Sequence, residues 1–166
     1  MIIIIDSIDR VGKTTLATKL AENLNGKIYK HAIKNGNYEQ MKDESETCAM
    51  FGLINLAMLY NDAVTIFDRF HMSNTIYGMI NRGYDETTAL QNFNAIDEAL
   101  ADLGDNVILI KVNPTDIDRS SAEHGSDLKP YLNWFNLLFE HSKIANKYEI
   151  NYHGIDGLVE QLKNKL

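Results

Sequence analysis

Short unbroken apolar runs and longer, spaced apolar runs alternate along the chain. The first, Ile2–Asp6, consists of β-branched isoleucines up to its terminal aspartate, the composition of a strand buried on both faces. Leu16, Leu20 and Leu24 then recur every four residues on one helix face, and Gly26 stands where that helix would stop. Further short apolar runs at 27–30, 64–67, 107–112 and 149–152 predict four more strands, separated by segments of helical spacing. One helix follows Asp85, a natural N-cap, and carries Leu90, Phe93, Ile96, Leu100 and Leu103 before Gly104. Another runs from near Leu128 through Leu132, Phe135, Leu138 and Phe139, and the spacing of Trp134, Tyr131, Phe135 and Phe139 assigns those rings to the core. The last, 157–166, places Leu158, Val159, Leu162 and Leu166 on one side. The polar segment 34–47, with Asp43, Glu44, Ser45 and Glu46, reads as a surface loop leading into a helix, its acids solvated. This alternation predicts an α/β three-layer sandwich, a five-stranded parallel sheet with helices on both faces and ligands at the carboxyl ends of its strands. With 166 residues and 45% hydrophobic content, residues 1–166 are expected to form a single domain.

Charge and cysteine content narrow the partners. A net charge of −7 argues against a general nucleic-acid binder while leaving room for a basic pocket that takes a small polyanion. Cys48 is the sole cysteine, so no intramolecular disulfide forms, and its apolar neighbours predict a buried thiol. The opening apolar run is too short for a secretory leader and no run approaches a membrane span, so a cytoplasmic location without membrane contact is expected. His31, His71, His124, His141 and His153 lack metal-ligand spacing and are read as surface or packing residues, with phosphate contact a lesser reading for His71.

The first strand drops into Ser7-Ile8-Asp9-Arg10-Val11-Gly12-Lys13-Thr14-Thr15, which opens the first helix. This is the layout of a phosphate-binding loop (P-loop). Its backbone N–H groups curl around nucleotide phosphates, Lys13 supplies a mobile positive charge, and the Thr14 hydroxyl ligates Mg²⁺. Ser7 stands where the usual pattern has glycine, and a small residue still permits the turn. A second strand, 64–67, ends in Asp68-Arg69. Asp68 beside Thr14 would hold Mg²⁺ directly or through water, and Arg69 would clamp a further phosphate in a bidentate way; the plainer alternative is a strand-end ion pair.

Together these motifs resemble the thymidylate kinase family of nucleoside monophosphate kinases. The likeness rests on Asp9-Arg10-Val11-Gly12-Lys13-Thr14-Thr15 and on Asp68-Arg69-Phe70 followed by Ser73 and Tyr77. Asn113-Pro114 after the fourth strand, and Ile155-Asp156-Gly157 before the last helix, are similar to the corresponding family segments. The resemblance implies a P-loop kinase fold that uses ATP and Mg²⁺ to phosphorylate a deoxynucleoside monophosphate, dTMP or a related pyrimidine. It implies that the loop from Ser7 to Thr15 holds the ATP phosphates and that Thr14 and Asp68 manage the metal. Arg69 and Ser73 would serve the acceptor, Asp9 its 3′-hydroxyl, and Tyr77 would fill the space that a ribose 2′-hydroxyl needs. A short lid near 115–127 contains one arginine, Arg119, expected to assist or to clasp adenine, which leaves Arg10 as the internal arginine finger. A homodimer is implied as well, with the apolar segment 48–60 as one candidate face.

The chain departs from the family at Ser7, at Tyr29-Lys30-His31-Ala32-Ile33-Lys34 after the second strand, and in having no arginine within 48–60. Asn55 there either reads a base edge or caps its own helix. The length fits a reduced, virus-encoded variant. The competing reading is a deoxyribonucleoside kinase, favoured by Pro130-Tyr131-Leu132, but such an enzyme needs a carboxylate base where this chain has Lys30 and His31. A nucleotide-binding regulator without acceptor chemistry is the third; its guanine-reading motif finds only Asn146-Lys147-Tyr148-Glu149, which the pattern places at a helix end.

Overall fold

β1 (Ile2–Asp6) is buried along its whole length, which its run of isoleucines allows only at the centre of a sheet covered on both sides. In the computed structural model, which describes residues 1–30, 43–59 and 63–165, it lies in a five-stranded parallel sheet. The other strands are β2 (Lys27–Lys30), β3 (Thr65–Asp68), β4 (Val107–Asn113) and β5 (Asn146–Asn151), in the order β2-β3-β1-β4-β5. The helices are α1 (Lys13–Leu24), α2 (Asp43–Leu59), α3 (His71–Arg82), α4 (Glu86–Ala101), α5 (Ile117–His124), α6 (Lys129–His141) and α7 (Ile155–Lys165).

Right-handed crossovers distribute these helices. The connection from β1 to β2 runs one way across the sheet and those from β2 to β3, β3 to β4 and β4 to β5 run the other. α1 therefore covers one face, where it packs on α7; α3 covers the opposite face with α2, α4 and α6. The chain reverses direction at β1, and such a switch point opens a crevice at the carboxyl ends of the strands. Ile5 is in register with Asp68, and Asp68 with Lys30, so the ends of β1, β3 and β2 form one row at that crevice.

Where element limits depart from the sequence expectation, a local cause is visible. α1 ends on Asn25, which takes the left-handed conformation (φ 50) expected of Gly26. Gly26 is needed for closeness instead, since a Cβ there would lie 3.0 Å from Ile66 Cδ1 and 3.1 Å from the Val64 carbonyl. Asp43, Glu44 and Glu46, read as loop, belong to α2. β5 begins at Asn146, three residues before the apolar run, because its polar residues sit at a half-exposed edge; this also makes Asn146-Lys147-Tyr148-Glu149 strand rather than helix end. Lys111 of β4 secures that edge, with Glu149 of β5 and Asn136 of α6 each 2.7 Å from its Nζ. α7 starts at Ile155, two residues early. Asp85 caps α4 as expected, accepting from the Thr88 N–H at 2.9 Å.

The core joins the β1 isoleucines to Leu16 and Leu20, to Phe67 and Phe70, to Phe93, Ile96 and Leu100, and to Phe135 and Leu138. Phe135 and Phe139 occupy the core as expected, and Trp134 and Tyr131, half-buried, pack against it. His71, read as a surface or packing residue, is fully buried: its Nε2 lies 3.1 Å from Asp97 Oδ1 and its ring stacks on Phe93 at 5.2 Å. Burial works against the Asp97 carboxylate, but bonds from His71, from the Ser142 hydroxyl (2.6 Å) and from the Lys143 N–H (2.6 Å) outweigh it and keep its pKa below the ordinary value. Asn55 is exposed. His31, segment 34–42 and Tyr60 lie outside the described residues, as do the side chains of Cys48 and His124. Among the described residues no helix is long and apolar enough to cross a membrane.

Candidate active site

The loop between β1 and α1 turns on two residues of positive φ, Arg10 (63°) and Gly12 (94°). Gly12 is required twice over, since a Cβ there would also meet the Tyr152 ring at 2.6 Å. Ser7 has no positive φ, so the position does not call for glycine; it is buried and its hydroxyl donates to the Val112 carbonyl, tying the loop to β4. The first turn of α1 has no acid, so its N–H groups keep their attraction for an anion.

Lys13 Nζ folds back to donate to the Ile8 carbonyl. Burial strips its ammonium of water and the Arg69 guanidinium repels it. The carboxylates of Asp9, Asp68 and Asp6 oppose this in part, and the pKa falls from 10.5 to about 7. Above that value the folded protein has released a proton that the unfolded chain keeps, so stability rises with pH between about 7 and the ordinary lysine value. A phosphate bound at Lys13 would restore the charge. Binding of metal-free ADP at about pH 8, where the ADP phosphates are themselves ionised, is therefore expected to take up a proton. Calorimetry in buffers of different ionisation enthalpy checks this, and Lys13→Met should lose the uptake.

Across the crevice, Asp68 Oδ2 accepts from the Thr14 hydroxyl at 3.0 Å, with Lys30 Nζ at 4.0 Å. One carboxylate and one hydroxyl suit Mg²⁺, which keeps several waters and takes its remaining oxygens from phosphates. Among the described residues no group of three or more His, Cys, Asp or Glu is gathered to hold a metal with protein ligands alone. Arg69, next in the chain, also has positive φ (73°). Its Nη2 pairs with Asp9 Oδ1, while Asp9 Oδ2 accepts from the Tyr77 hydroxyl at 3.1 Å. The guanidinium carbon lies 5.0 Å from the centre of the Tyr77 ring. Burial pushes the Tyr77 phenol up to about 12, so it remains a donor to Asp9.

Asp6, absent from the sequence-predicted site, organises this second half. It is fully buried at the end of β1. Its Oδ2 accepts from the N–H groups of Phe70 (3.1 Å) and Ser73 (3.3 Å), and its Oδ1 accepts from the Ser73 hydroxyl. α3 has no cap of its own and no acid in its first turn, so Asp6 supplies both from a neighbouring strand and thereby sets Arg69 beside the loop. Ser73, expected at the acceptor, is buried on Asp6 and lines neither of the clefts on the two sides of the loop. An aspartate closing an all-isoleucine strand was the available signal.

One cleft lies between the loop from Asp9 to Thr15 and the trio Lys30, Asp68 and Arg69. A second opens on the other side of the loop, where Arg10, Val11 and Gly12 face Thr115, Asp116, Arg119, Ser120, Tyr152 and His153. Arg10 lines both. Ile8 is buried and meets the loop interior through its carbonyl. An apolar cavity of about 210 Å³ between α2 and strands β2 and β3, lined by Tyr29, Leu53, Ala57 and Phe67, includes none of the motif residues.

No protein family and no curated protein matches the sequence. Solved structures do match the fold. The crystal structure of YorR protein from Bacillus subtilis, in complex with phosphorylated GDP, is 18% identical with a TM-score of 0.68, over 98% of this chain and 93% of that one. Polyphosphate kinase 2 from Arthrobacter aurescens TC1 is 14% identical with a TM-score of 0.65, over 98% of this chain and 65% of that one. At such identities the likeness is one of architecture, and the chain has the α/β three-layer fold of P-loop kinases around a five-stranded parallel sheet.

Proposed function

We propose that the protein is a phosphotransferase that moves the γ-phosphoryl group of ATP to a deoxynucleoside monophosphate, dTMP or a related pyrimidine nucleotide, with Mg²⁺. The observation that carries this reading is the cluster of Asp9, Arg69 and Tyr77 set against Lys13, Thr14 and Asp68. It amounts to a second polar recognition site beside a phosphate loop, as a two-substrate transfer requires. Lys13 and the loop N–H groups hold the donor phosphates, and Thr14 and Asp68 would hold Mg²⁺, which would supply positive charge to them. Arg69 leaves Asp9 for the acceptor phosphate, and Asp9 turns to the sugar 3′-hydroxyl. Arg10, which faces both clefts, stabilises the transferred group as the bond to the ADP oxygen breaks and the bond to the acceptor oxygen forms. Arg119 meets the donor base from α5, which serves as the lid. A monophosphate acceptor is already ionised and needs no base, which agrees with Lys30 rather than an acid at the end of β2. We place the protein in the cytoplasm as a single-domain chain that forms a homodimer through α2, with no nucleic-acid or membrane partner.

The test is product analysis with Mg²⁺, each of ATP, GTP and polyphosphate as donor, and nucleosides and nucleoside monophosphates in deoxy and ribo forms as acceptors. The two donors besides ATP answer to the names of the two fold relatives. Diphosphate made from a pyrimidine deoxymonophosphate is the expected result. Product from nucleosides alone would make the protein a nucleoside kinase, and nucleotide binding without any product would make it a regulator.

A further inference from the structure

Tyr131, in the first turn of α6, is half-buried and takes no part in the roles given above. Its ring lies 5.1 Å from that of Tyr77, tilted by 39°, and its hydroxyl donates to Asn81 Oδ1 at 2.5 Å. Tyr77 and Asn81 are four residues apart on α3 and so share one helix face. Tyr131 spans both, with its ring on the first and its hydroxyl on the second. One turn further along α6, Phe135 meets the same Tyr77 ring edge-on at 6.4 Å. Tyr77 is thus held at its hydroxyl by Asp9, over its ring by Arg69, and by two rings from α6.

We propose that Tyr131 is a positioning residue that sets the discrimination between deoxyribose and ribose in the acceptor, by fixing the Tyr77 ring against displacement. This rests on the reading that the acceptor sugar lies against Asp9 and Tyr77. A ring excludes one extra hydroxyl only if it cannot yield, because the atom to be rejected is small and a single rotamer change of a tyrosine makes room for it. Removing the Tyr131 ring opens a space beside Tyr77 into which that ring can turn, and turning also withdraws its hydroxyl from Asp9. The Asn81 bond keeps Tyr131 on the same helix as the ring that it supports, so the two move as one wall.

The experiment compares kcat/KM for a deoxynucleoside monophosphate and its ribonucleotide counterpart in the wild type, in Tyr131→Phe and in Tyr131→Leu. In Tyr131→Leu the deoxy-to-ribo ratio is expected to fall by roughly tenfold or more, within the range that a pocket achieves by rejecting one small group. In Tyr131→Phe, which keeps the ring but loses the Asn81 bond, the ratio should fall less than in Tyr131→Leu. A residue that merely stabilised the fold would lower both substrates together, so an equal loss in Tyr131→Leu would overturn the proposal. Should that variant fail to fold, Tyr131→Met fills the volume with a flexible chain and carries the same two outcomes. A wild type that phosphorylates no deoxymonophosphate refutes the functional reading and this inference with it. An active wild type whose ratio is unmoved in the variants refutes the inference alone.

Discussion

Arg10→Gly is expected to lower turnover by roughly three to five orders of magnitude while changing ATP affinity only a few-fold, the range seen when a transition-state arginine is removed from a phosphoryl-transfer site. Arg10 is exposed and lines both clefts, between which the proposed transfer would take place. Glycine is the informative replacement because Arg10 has φ 63°, a conformation that costs a non-glycine residue on the order of 1 kcal/mol. The variant should consequently be no less stable than the wild type, which separates loss of catalysis from loss of fold. Single-turnover rates and equilibrium binding of ATP measure the two quantities. Turnover within tenfold of the wild type would pass the role to Arg119, whose replacement is the companion experiment.

The largest effect on stability is expected from Asp6→Ala. Three donors now satisfied by one buried carboxylate, the N–H groups of Phe70 and Ser73 and the Ser73 hydroxyl, would lose their acceptor in a place that water does not reach. With each orphaned group costing about 1–3 kcal/mol, the total is roughly 3 kcal/mol or more, a large part of the stability of a domain of this size. Ser73→Ala removes one of these donors together with its need and should cost only about 1 kcal/mol. Urea or guanidinium unfolding of both variants gives the comparison. Any Asp6→Ala protein that still folds is expected to bind ATP yet lose affinity for the acceptor, because Arg69 is placed by the helix start that Asp6 caps. Equal stability of the two variants would show that the carboxylate is not the anchor of α3.

These two residues mark how far the chain is legible without its fold. Arg10 belongs to a contiguous stretch whose geometry is local. A strand, a loop with residues able to take positive φ and a helix start lie next to one another, so residues 7–15 declare their chemistry in order. β1 and β4 were equally plain, because parallel strands buried on both faces leave unbroken apolar runs. β5 was less so, since an edge strand needs only one apolar face, and its Asn146-Lys147-Tyr148 start has no such run.

The sequence by itself determined the α/β alternation, the turn of residues 7–15 into α1 and the strand-end Asp68-Arg69, for each is written in neighbouring residues. The resemblance brought Asp9, Arg69 and Tyr77 into one expected acceptor site, and the structure brings them into contact. Only the tertiary structure decided that Asp6 caps a helix begun more than sixty residues later, that Ser73 serves that cap, that Lys30 faces Asp68, and that Tyr131 leans on Tyr77 at the margin of the core. The physical reason is strand order. The placement of β3 between β2 and β1, and the crossovers that lay α3 against α6, bring together residues far apart in the chain, and no local propensity or periodicity encodes the register in which they meet.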